Sequence, residues 1–259
     1  LTEHGAEYYD LCIQILNKLE EVETAMTERS RRPQGTLRIL APLFFGARFL
    51  GPVISDFADI YPDMNLSVDL WGQPLQSSDV VGHSYDIVIR TISPVDSNLK
   101  VRKIAPIRNV VCASPNYLKQ HGTPKTPSDL SQFPIMYHRK SSDYRWHFSG
   151  AEGNISVQLP AAKMPRTNSL EILRHMTLGG RGIGILAEYA VWQDLAAGAL
   201  RELLPAYEVE ERGLYLLFPD TQFIPLKVRL FVDFFVDQFS TPPWTAAVGS
   251  KNEVLVGLS

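Results

Sequence analysis

The stretch GTLRILAPLFFGARFLGPVISDFADIYPDMNLSVDL, residues 35–70, decides the fold. Its first part, Thr36–Leu40, is a short apolar run of the kind that forms a buried strand. The alternating apolar residues of NLSVDL, residues 65–70, predict a second strand. Between the two strands, apolar side chains at spacings near four predict a helix that ends before Pro62, with the apolar positions Phe49, Val53, Phe57 and Ile60.

The alternation of strand and helix continues after this stretch. A third apolar run, Asp86–Arg90, predicts another strand. Strands that alternate with helices are typical of parallel βαβ units, because a parallel pair needs a long crossover connection. The sequence therefore predicts an α/β fold for this part of the chain.

A second run of strands and helices begins near Asn109. Ser114 can cap a helix that has Pro115 at its first position, and Gly122 can end that helix in the left-handed conformation. The further strands are predicted in NVVCA, FPIMY, WHFS, ISVQL, GIGIL and GLYLLF, with a helix over about 169–178. A final helix over 227–240 is predicted to bury Val228, Phe231, Val232, Phe235 and Phe239. This element count fits two α/β lobes.

The N-terminal residues 1–26 have the pattern of a coiled coil. Apolar or small residues recur at alternating intervals of four and three, which keeps one helical seam facing a partner helix. The seam positions are Leu1, Gly5, Tyr8, Cys12, Ile15, Leu19, Val22 and Met26. Only Thr2 could cap this helix, so we expect that the chain begins inside a longer helix.

Composition limits the classes of function. The 259 residues are 45% hydrophobic and carry a formal net charge of −3, with no apolar run long enough to span a membrane. A domain that grips DNA by itself usually has a strongly basic face, which this composition does not predict. The two cysteines, Cys12 and Cys112, form no disulfide or metal pattern, which favours reduced packing residues and a cytoplasmic protein.

The usual signatures of catalysis are not found. The glycines of GGRGIGIL, residues 179–186, match neither a dinucleotide nor a phosphate loop, and a helix-to-strand turn is the better interpretation. The six histidines have no metal-ligand spacing, and Cys112 lies inside an apolar strand that disfavours a thiolate. The sequence predicts no enzyme, no metal and no cofactor.

The candidate site therefore follows from the fold. Small ligands bind at the carboxyl ends of sheet strands and at helix N-termini, where free backbone N–H groups favour anions. The positions so placed are Leu43, Phe44, Phe45, Arg90, Thr91, Tyr137, Arg139, Asn168 and Ser169. Arg90 and Arg139 could contact a ligand or form surface salt bridges, and Phe44 and Phe45 could belong to the core or to the site.

The chain resembles the LysR-type transcriptional regulators. The similarity is carried, in order, by LTEHG at residues 1–5, GTLRI, the stretch FLGPVISDFADIYPDMNLSV, YDIVIR, VVCASPNYLKQHG, TNS and LGGRGIGIL. In that family the LT-x-x-G motif marks the end of the winged helix-turn-helix and the start of a linker helix. The resemblance thus implies that the DNA-binding module is absent from this chain.

What the resemblance implies is a type II periplasmic-binding-protein-like effector domain of two α/β lobes with a ligand cleft, preceded by a long coiled-coil linker helix. By analogy, residues 1–32 form the linker and dimerisation helix. Lobe I comprises residues 36–107 plus 208–240, and lobe II residues 108–207. Residues 241–259 remain as a loosely held C-terminal tail.

The resemblance also implies partners and a mode of action. Family members form dimers or tetramers, and an effector in the cleft shifts the arrangement of the DNA-binding arms. Many members have Ser or Thr where this sequence has Phe44 and Phe45. This difference favours either an aromatic or anionic effector that is larger or more apolar than a small dicarboxylate, or a cleft filled by its own side chains that needs no ligand. DNA would be contacted only through the absent module, and no membrane partner is expected. The rivals are a solute-binding receptor and an enzyme on the same fold.

Overall fold

The computed structural model describes most of the chain as two compact units. It covers residues 33–72, 85–92, 99–136, 145–151, 153–158, 167–209, 212–220 and 224–245, with residues 8–9, 12–13 and 15–16 of the N-terminal segment. The first unit comprises Leu1–Ala105 and Leu214–Ser240, and the second Pro106–Gly213 and Thr241–Ser259. The chain thus leaves the first unit after Ala105 and returns to it at Leu214. The sequence predicts these two boundaries at residues 107 and 208.

The first unit is built on the strands β1 (Gly35–Pro42), β2 (Met64–Trp71), β3 (Ile87–Arg90), β4 (Leu99–Ile107) and β12 (Arg212–Pro219). These strands form a five-stranded sheet with the order β2-β1-β3-β12-β4. The parallel pairing predicted for the opening stretch is confirmed, because β1 runs parallel to both β2 and β3. Strand β12 is antiparallel to β3 and separates it from β4.

The helix after β1 begins differently from the prediction. A single turn, Leu43–Phe45, leads into a π-helical segment, Gly46–Leu50, before the regular helix α1 (Gly51–Ile60). Val53 and Phe57 are buried as predicted, whereas Ile60 is 55% exposed at the last helical residue. The wider π turn shifts the phase of the helix, so Phe49 does not continue the buried row.

The C-terminal helix α5 (Leu226–Gln238) packs in the same unit. All five predicted apolar positions of this helix are buried. The rings of Phe57 and Phe231 lie 5.1 Å apart, edge to face. One buried position was not predicted: the Lys227 ammonium donates to the carbonyl oxygen of Thr36 at 2.8 Å and lies 3.1 Å from Asp86 Oδ1.

The second unit contains two small sheets. The strands are β5 (Asn109–Ala113), β6 (Ile135–Met136), β7 (Arg145–Gly150), β8 (Gly153–Gln158), β9 (Ile183–Ala187), β10 (Arg201–Leu203) and β11 (Glu208–Val209). The four-stranded sheet has the order β10-β5-β9-β6, and the three-stranded sheet has the order β11-β7-β8. Unlike the first unit, its pairing is mostly antiparallel, and only β6 runs parallel to β9.

Helices follow three of these strands along the chain. They are α2 (Pro115–His121), α3 (Leu170–Leu178) and α4 (Glu188–Ala196), with a 3₁₀ helix over Pro127–Gln132. The glycine-rich stretch forms the predicted turn from α3 to β9. Gly180 has a φ of +68°, and a Cβ on Gly182 would collide with the carbonyl oxygen of Pro134. These two positions require glycine for conformation and for close backbone approach.

The start of the C-terminal segment corrects the prediction of a loosely held tail. Trp244 is 0% exposed, its indole N–H donates to the carbonyl oxygen of Pro106 at 3.5 Å, and its ring lies 5.9 Å from that of Tyr189. Helix α5 ends at Gln238, before Pro242 and Pro243, and the turn that contains these prolines leads to Trp244, a core residue assigned to the second unit. Residues 246–259 lie outside the described residues.

We expect Trp244→Ala to lower the free energy of unfolding by about 3–5 kcal/mol, because a buried indole leaves both lost transfer energy and a cavity. Urea unfolding of the purified chain measures this loss. The matched control is Trp192→Ala on α4, whose side chain is only half-buried. A loss below about 1 kcal/mol for Trp244→Ala would contradict a core role.

Candidate functional site

The carboxyl-terminal edge of the first sheet carries the predicted residues that follow β1. Leu43 is 54% exposed and Phe44 is half-buried, with the guanidinium of Arg48 5.9 Å from the Phe44 ring centroid. Phe45 is fully buried, with its ring 5.1 Å from Phe49 and 5.7 Å from Phe239. Phe45 is therefore a core residue, and we remove it from the predicted effector contacts.

Arg90 lies at the same edge, as the last residue of β3. Its side chain is half-buried, and this desolvation lowers the pKa of the guanidinium, which nevertheless stays charged. None of the residues that the structure describes forms an ion pair or hydrogen bond with that guanidinium. Of the two alternatives left by the sequence, the surface salt bridge is thus not formed with any described carboxylate. Thr91 follows it and is also half-buried.

Two aromatic residues that the sequence analysis did not single out share a sheet face with Arg90. Tyr215 of β12 is the direct antiparallel partner of Arg90. Trp71 of β2 is the direct partner of Pro42, and both aromatic side chains pack against the cluster of Leu40, Val88 and Leu217. That these aromatic residues share a sheet face with Arg90 follows from the pairing register of the strands, which no local sequence pattern reveals.

The second unit presents the predicted polar helix start. Ser169 caps α3 by accepting a hydrogen bond from the Ile172 N–H at 3.3 Å, as expected for an N-cap serine. The Ser169 N–H in turn donates to Thr167 Oγ1 at 3.0 Å, and Asn168 is exposed. Tyr137 and Arg139, the other residues predicted from this unit, lie outside the described residues.

Two arginines of the second unit, Arg108 and Arg174, form ion pairs with nearby carboxylates. Arg174 donates two hydrogen bonds to Asp194, at 2.6 and 2.7 Å. Although burial opposes its charge, Arg108 has a raised pKa because it bonds the carboxylates of Glu188 and Glu202 at 2.8 and 2.7 Å. These pairs hold the unit together, and their arginines are less available to a ligand than Arg90.

The described residues also limit the chemistry of the site. Burial, with added repulsion from Asp194 and Glu202, raises the pKa of the Cys112 thiol, which disfavours the nucleophilic thiolate. No group of three or more His, Cys, Asp or Glu side chains in the described ranges could hold a metal ion. Within those ranges, no helix is both long and apolar enough to cross a lipid bilayer.

Comparison with known proteins places the chain in a family of regulators. Residues 30–240 match the LysR substrate binding domain, and the chain belongs to this family. It is the effector-binding domain of a LysR-type transcriptional regulator.

Individual relatives agree with this assignment. The chain is 31% identical over 247 residues to the HTH-type transcriptional regulator CrgA of Neisseria meningitidis, covering 92% of this chain and 78% of CrgA. It is 28% identical over 239 residues to the transcriptional activator AaeR of Escherichia coli, covering 92% and 76% of the two chains.

Solved structures agree as well. The full-length virulence activator AphB of Vibrio cholerae matches with a TM-score of 0.68 at 26% identity, over 92% of this chain and 80% of AphB. The CrgA structure matches with a TM-score of 0.69 at 28% identity, again over 92% and 80%. These relatives are transcriptional regulators, which is a non-enzymatic role. Their function disfavours the alternative hypothesis of a solute-binding receptor with the same fold.

We expect Ser169→Ala to lower the free energy of unfolding by about 1 kcal/mol, because the Ile172 N–H loses its capping acceptor. Ser169→Asp keeps an acceptor at the same place and should retain the stability. Chemical denaturation measures both variants, with Ser156→Ala on the exposed face of β8 as the control. Equal stability of the alanine variant and the parent protein would show that the cap contributes nothing.

Proposed function

We propose that this chain is the sensing and oligomerisation part of a regulator that responds to a small anionic effector. The observation that carries the proposal is the half-buried Arg90 guanidinium, which has no partner among the described residues, at the carboxyl end of β3. Burying a charge is unfavourable unless an opposite charge or hydrogen bonds compensate it. An effector carboxylate bound to Arg90 would supply that compensation.

The edge of the sheet at which Arg90 lies supports a ligand that is partly apolar. Leu43 and Phe44 stand at the start of the helix after β1 and offer no hydroxyl group. An aliphatic and an aromatic side chain at this edge favour contact with carbon rather than with several polar groups. Arg90 and Thr91 would then fix the orientation of the ligand.

We assign the second half of the site to the other lobe by analogy with the family fold. Asn168 and the N-cap residue Ser169 precede α3, and the N-terminus of a helix favours an anionic or polar ligand group. Tyr137 and Arg139 complete the proposed set. In this proposal the effector lies in a cleft between the lobes and contacts Leu43, Phe44, Arg90 and Thr91 on one side.

Effector binding would act on transcription through a population shift. A ligand that binds one lobe arrangement ten times more tightly than another shifts the equilibrium by about 1.4 kcal/mol. The linker helix would pass this shift to DNA-binding arms of the helix-turn-helix type, which the names of the relatives specify. A regulator that acts on DNA in this way works in the cytoplasm.

The linker helix supports the proposed homodimer or homotetramer. Of its predicted seam, Tyr8, Cys12 and Ile15 are among the described residues, whereas Leu19, Val22 and Met26 lie outside them. Tyr8 and Ile15 are helical and are 71% and 68% exposed in the single chain. Burying such side chains in a coiled coil with a second copy would stabilise the oligomer.

Arg90→Gln should weaken effector binding by one to two orders of magnitude, because hydrogen bonds to charged groups contribute about 1.5–3 kcal/mol. A thermal-shift screen of small acids and aromatic metabolites identifies a stabilising acid, and the variant is then titrated with it. Arg229→Gln, which removes an exposed arginine of α5, is the matched control. Undiminished stabilisation of Arg90→Gln would remove Arg90 from the site.

Ile15→Glu should lower the oligomer mass measured by light scattering, because it places a charge on the coiled-coil seam. Leu16→Glu is the matched control, since Leu16 is also exposed and helical but lies off the seam. The seam is refuted if both variants keep the parent mass or if both lose it to the same degree.

A further inference from the structure

The chain passes between the two units three times. It leaves the first unit after Ala105, returns to it at Leu214 and leaves it again after Ser240. The first two passages lie within the strands β4 and β12, which are neighbours in the first sheet. The third passage is made by residues 241–243, which we call the strap. The strap lies beyond residue 240, at which the match to the family ends.

A buried aromatic side chain stands on each side of the strap. Before it, the Phe239 ring lies 4.6 Å from that of Phe235 and 5.7 Å from that of Phe45, both in the core of the first unit. After it, Trp244 is fully buried, and its ring lies 5.9 Å from that of Tyr189 in the second unit. Each end of the strap is therefore anchored in a different unit.

The strap is short and conformationally restricted. Trp244 follows Phe239 by only five positions. Two of the four residues between them are prolines, whose φ angle is fixed by the ring. At the C-terminal end, Thr245 donates from its backbone N–H and from Oγ1 to the Pro242 carbonyl oxygen, at 3.0 and 2.7 Å. Such a segment cannot lengthen as a flexible loop can.

The anchor of the strap lies beside the first residues that follow the passage of β4 into the second unit. Pro106 is the first of these, and its carbonyl oxygen is 3.5 Å from the Trp244 indole nitrogen. The Arg108 carbonyl oxygen accepts the backbone N–H of Glu188 at 3.0 Å, and the two side chains form an ion pair at 2.8 Å. Glu188 directly precedes Tyr189, whose ring neighbours Trp244. Trp244 and the residues after this passage thus pack in one group.

Two neighbouring strands alone restrain two bodies weakly. The strands of a sheet lie about 4.8 Å apart, so β4 and β12 form a narrow ribbon that can bend out of its plane. A third connection that is anchored at both ends opposes this bending, because a large displacement would pull a buried ring out of its core. Exposing a buried aromatic ring to water is unfavourable, since such rings bury a large apolar surface.

We infer that the strap, anchored by Trp244, restrains the movement of the two units at the crossover strands β4 and β12. The inference goes beyond the proposed function, because it concerns the chain without an effector. Where an effector shifts the arrangement of the lobes, the strap contributes to the free-energy difference between the two arrangements. Trp244 is then a positioning residue that acts through the strap.

Hydrogen exchange of the whole chain, measured by mass spectrometry, tests the strap. Inserting Gly-Ser-Gly-Ser-Gly-Ser between Ser240 and Thr241, which are both exposed, lengthens the connection and keeps both buried rings. Doubling the length of a flexible connection lowers the probability that its ends meet about three-fold. We therefore expect about three-fold faster exchange of the backbone N–H groups in residues 103–108 and 212–215.

The matched control carries the same insertion after Ala151, in the exposed turn between β7 and β8. This insertion lengthens a turn within one unit, so exchange at the two crossover strands should stay unchanged. A Gly-Ser insertion between Ser240 and Thr241, which disturbs the chain less, should produce a smaller change of the same sign. Circular dichroism verifies that each variant is folded.

A second variant separates the strap from a purely structural role of its anchor. Trp244→Ala releases the anchor without changing the length of the strap, so it should also accelerate exchange at the crossover strands. Once the anchor is released, the length of the strap no longer matters. Adding the six-residue insertion to Trp244→Ala should therefore produce no further acceleration.

Three results would each overturn the inference. The strap restrains nothing if the folded insertion variants exchange at the parent rate at the crossover strands. The effect is unspecific if the control insertion accelerates exchange there to the same degree. Trp244 is not the anchor if the insertion accelerates exchange equally in Trp244→Ala and in the parent chain. These measurements involve neither Arg90 nor a ligand, so their failure leaves the proposed effector site untouched.

Discussion

The first unit depends on a topological constraint, the insertion of β12 between β3 and β4. The five-stranded sheet is complete only after the chain has passed through the second unit and returned to the first unit as β12. The buried Lys227 fixes this return, because its ammonium bonds the Thr36 carbonyl and Asp86. Asp86 also accepts the backbone N–H of Arg38 at 2.8 Å, so one buried charge pair joins the start of β1, the approach to β3 and the last helix.

The elements that the sequence predicts well are those with a strong local pattern. The alternation of apolar residues identified the strands of the opening stretch, and the spacing of Phe231 and Phe235 identified the buried face of α5. Exceptions arise where tertiary contacts override the pattern. Lys227 looks like a solvated residue until Asp86 is brought to it, and the prolines before Trp244 suggest an end of structure when they only redirect the chain.

The residues of the candidate site likewise divide into those that a local sequence pattern predicts and those that tertiary contacts determine. Arg90 could be found from the sequence because it ends a predicted strand, and strand ends collect at one edge of a parallel sheet. Tyr215 could not, since it is distant in sequence and becomes the neighbour of Arg90 only through the pairing of β12 with β3. Of the two alternatives that the sequence leaves for Phe45, the structure favours the core, because the side chain is fully buried with the ring of Phe239 5.7 Å away.

Because Trp244 is buried, the folded domain extends beyond the boundary that the family match defines. The family match ends at residue 240, four residues before an indole that belongs to the core of the second unit. A chain that ended at residue 240 would keep every strand and helix of the two units and still lack part of its interior. The family match does not include this core side chain, so the C-terminal limit for expression or fusion of this protein belongs beyond Thr245.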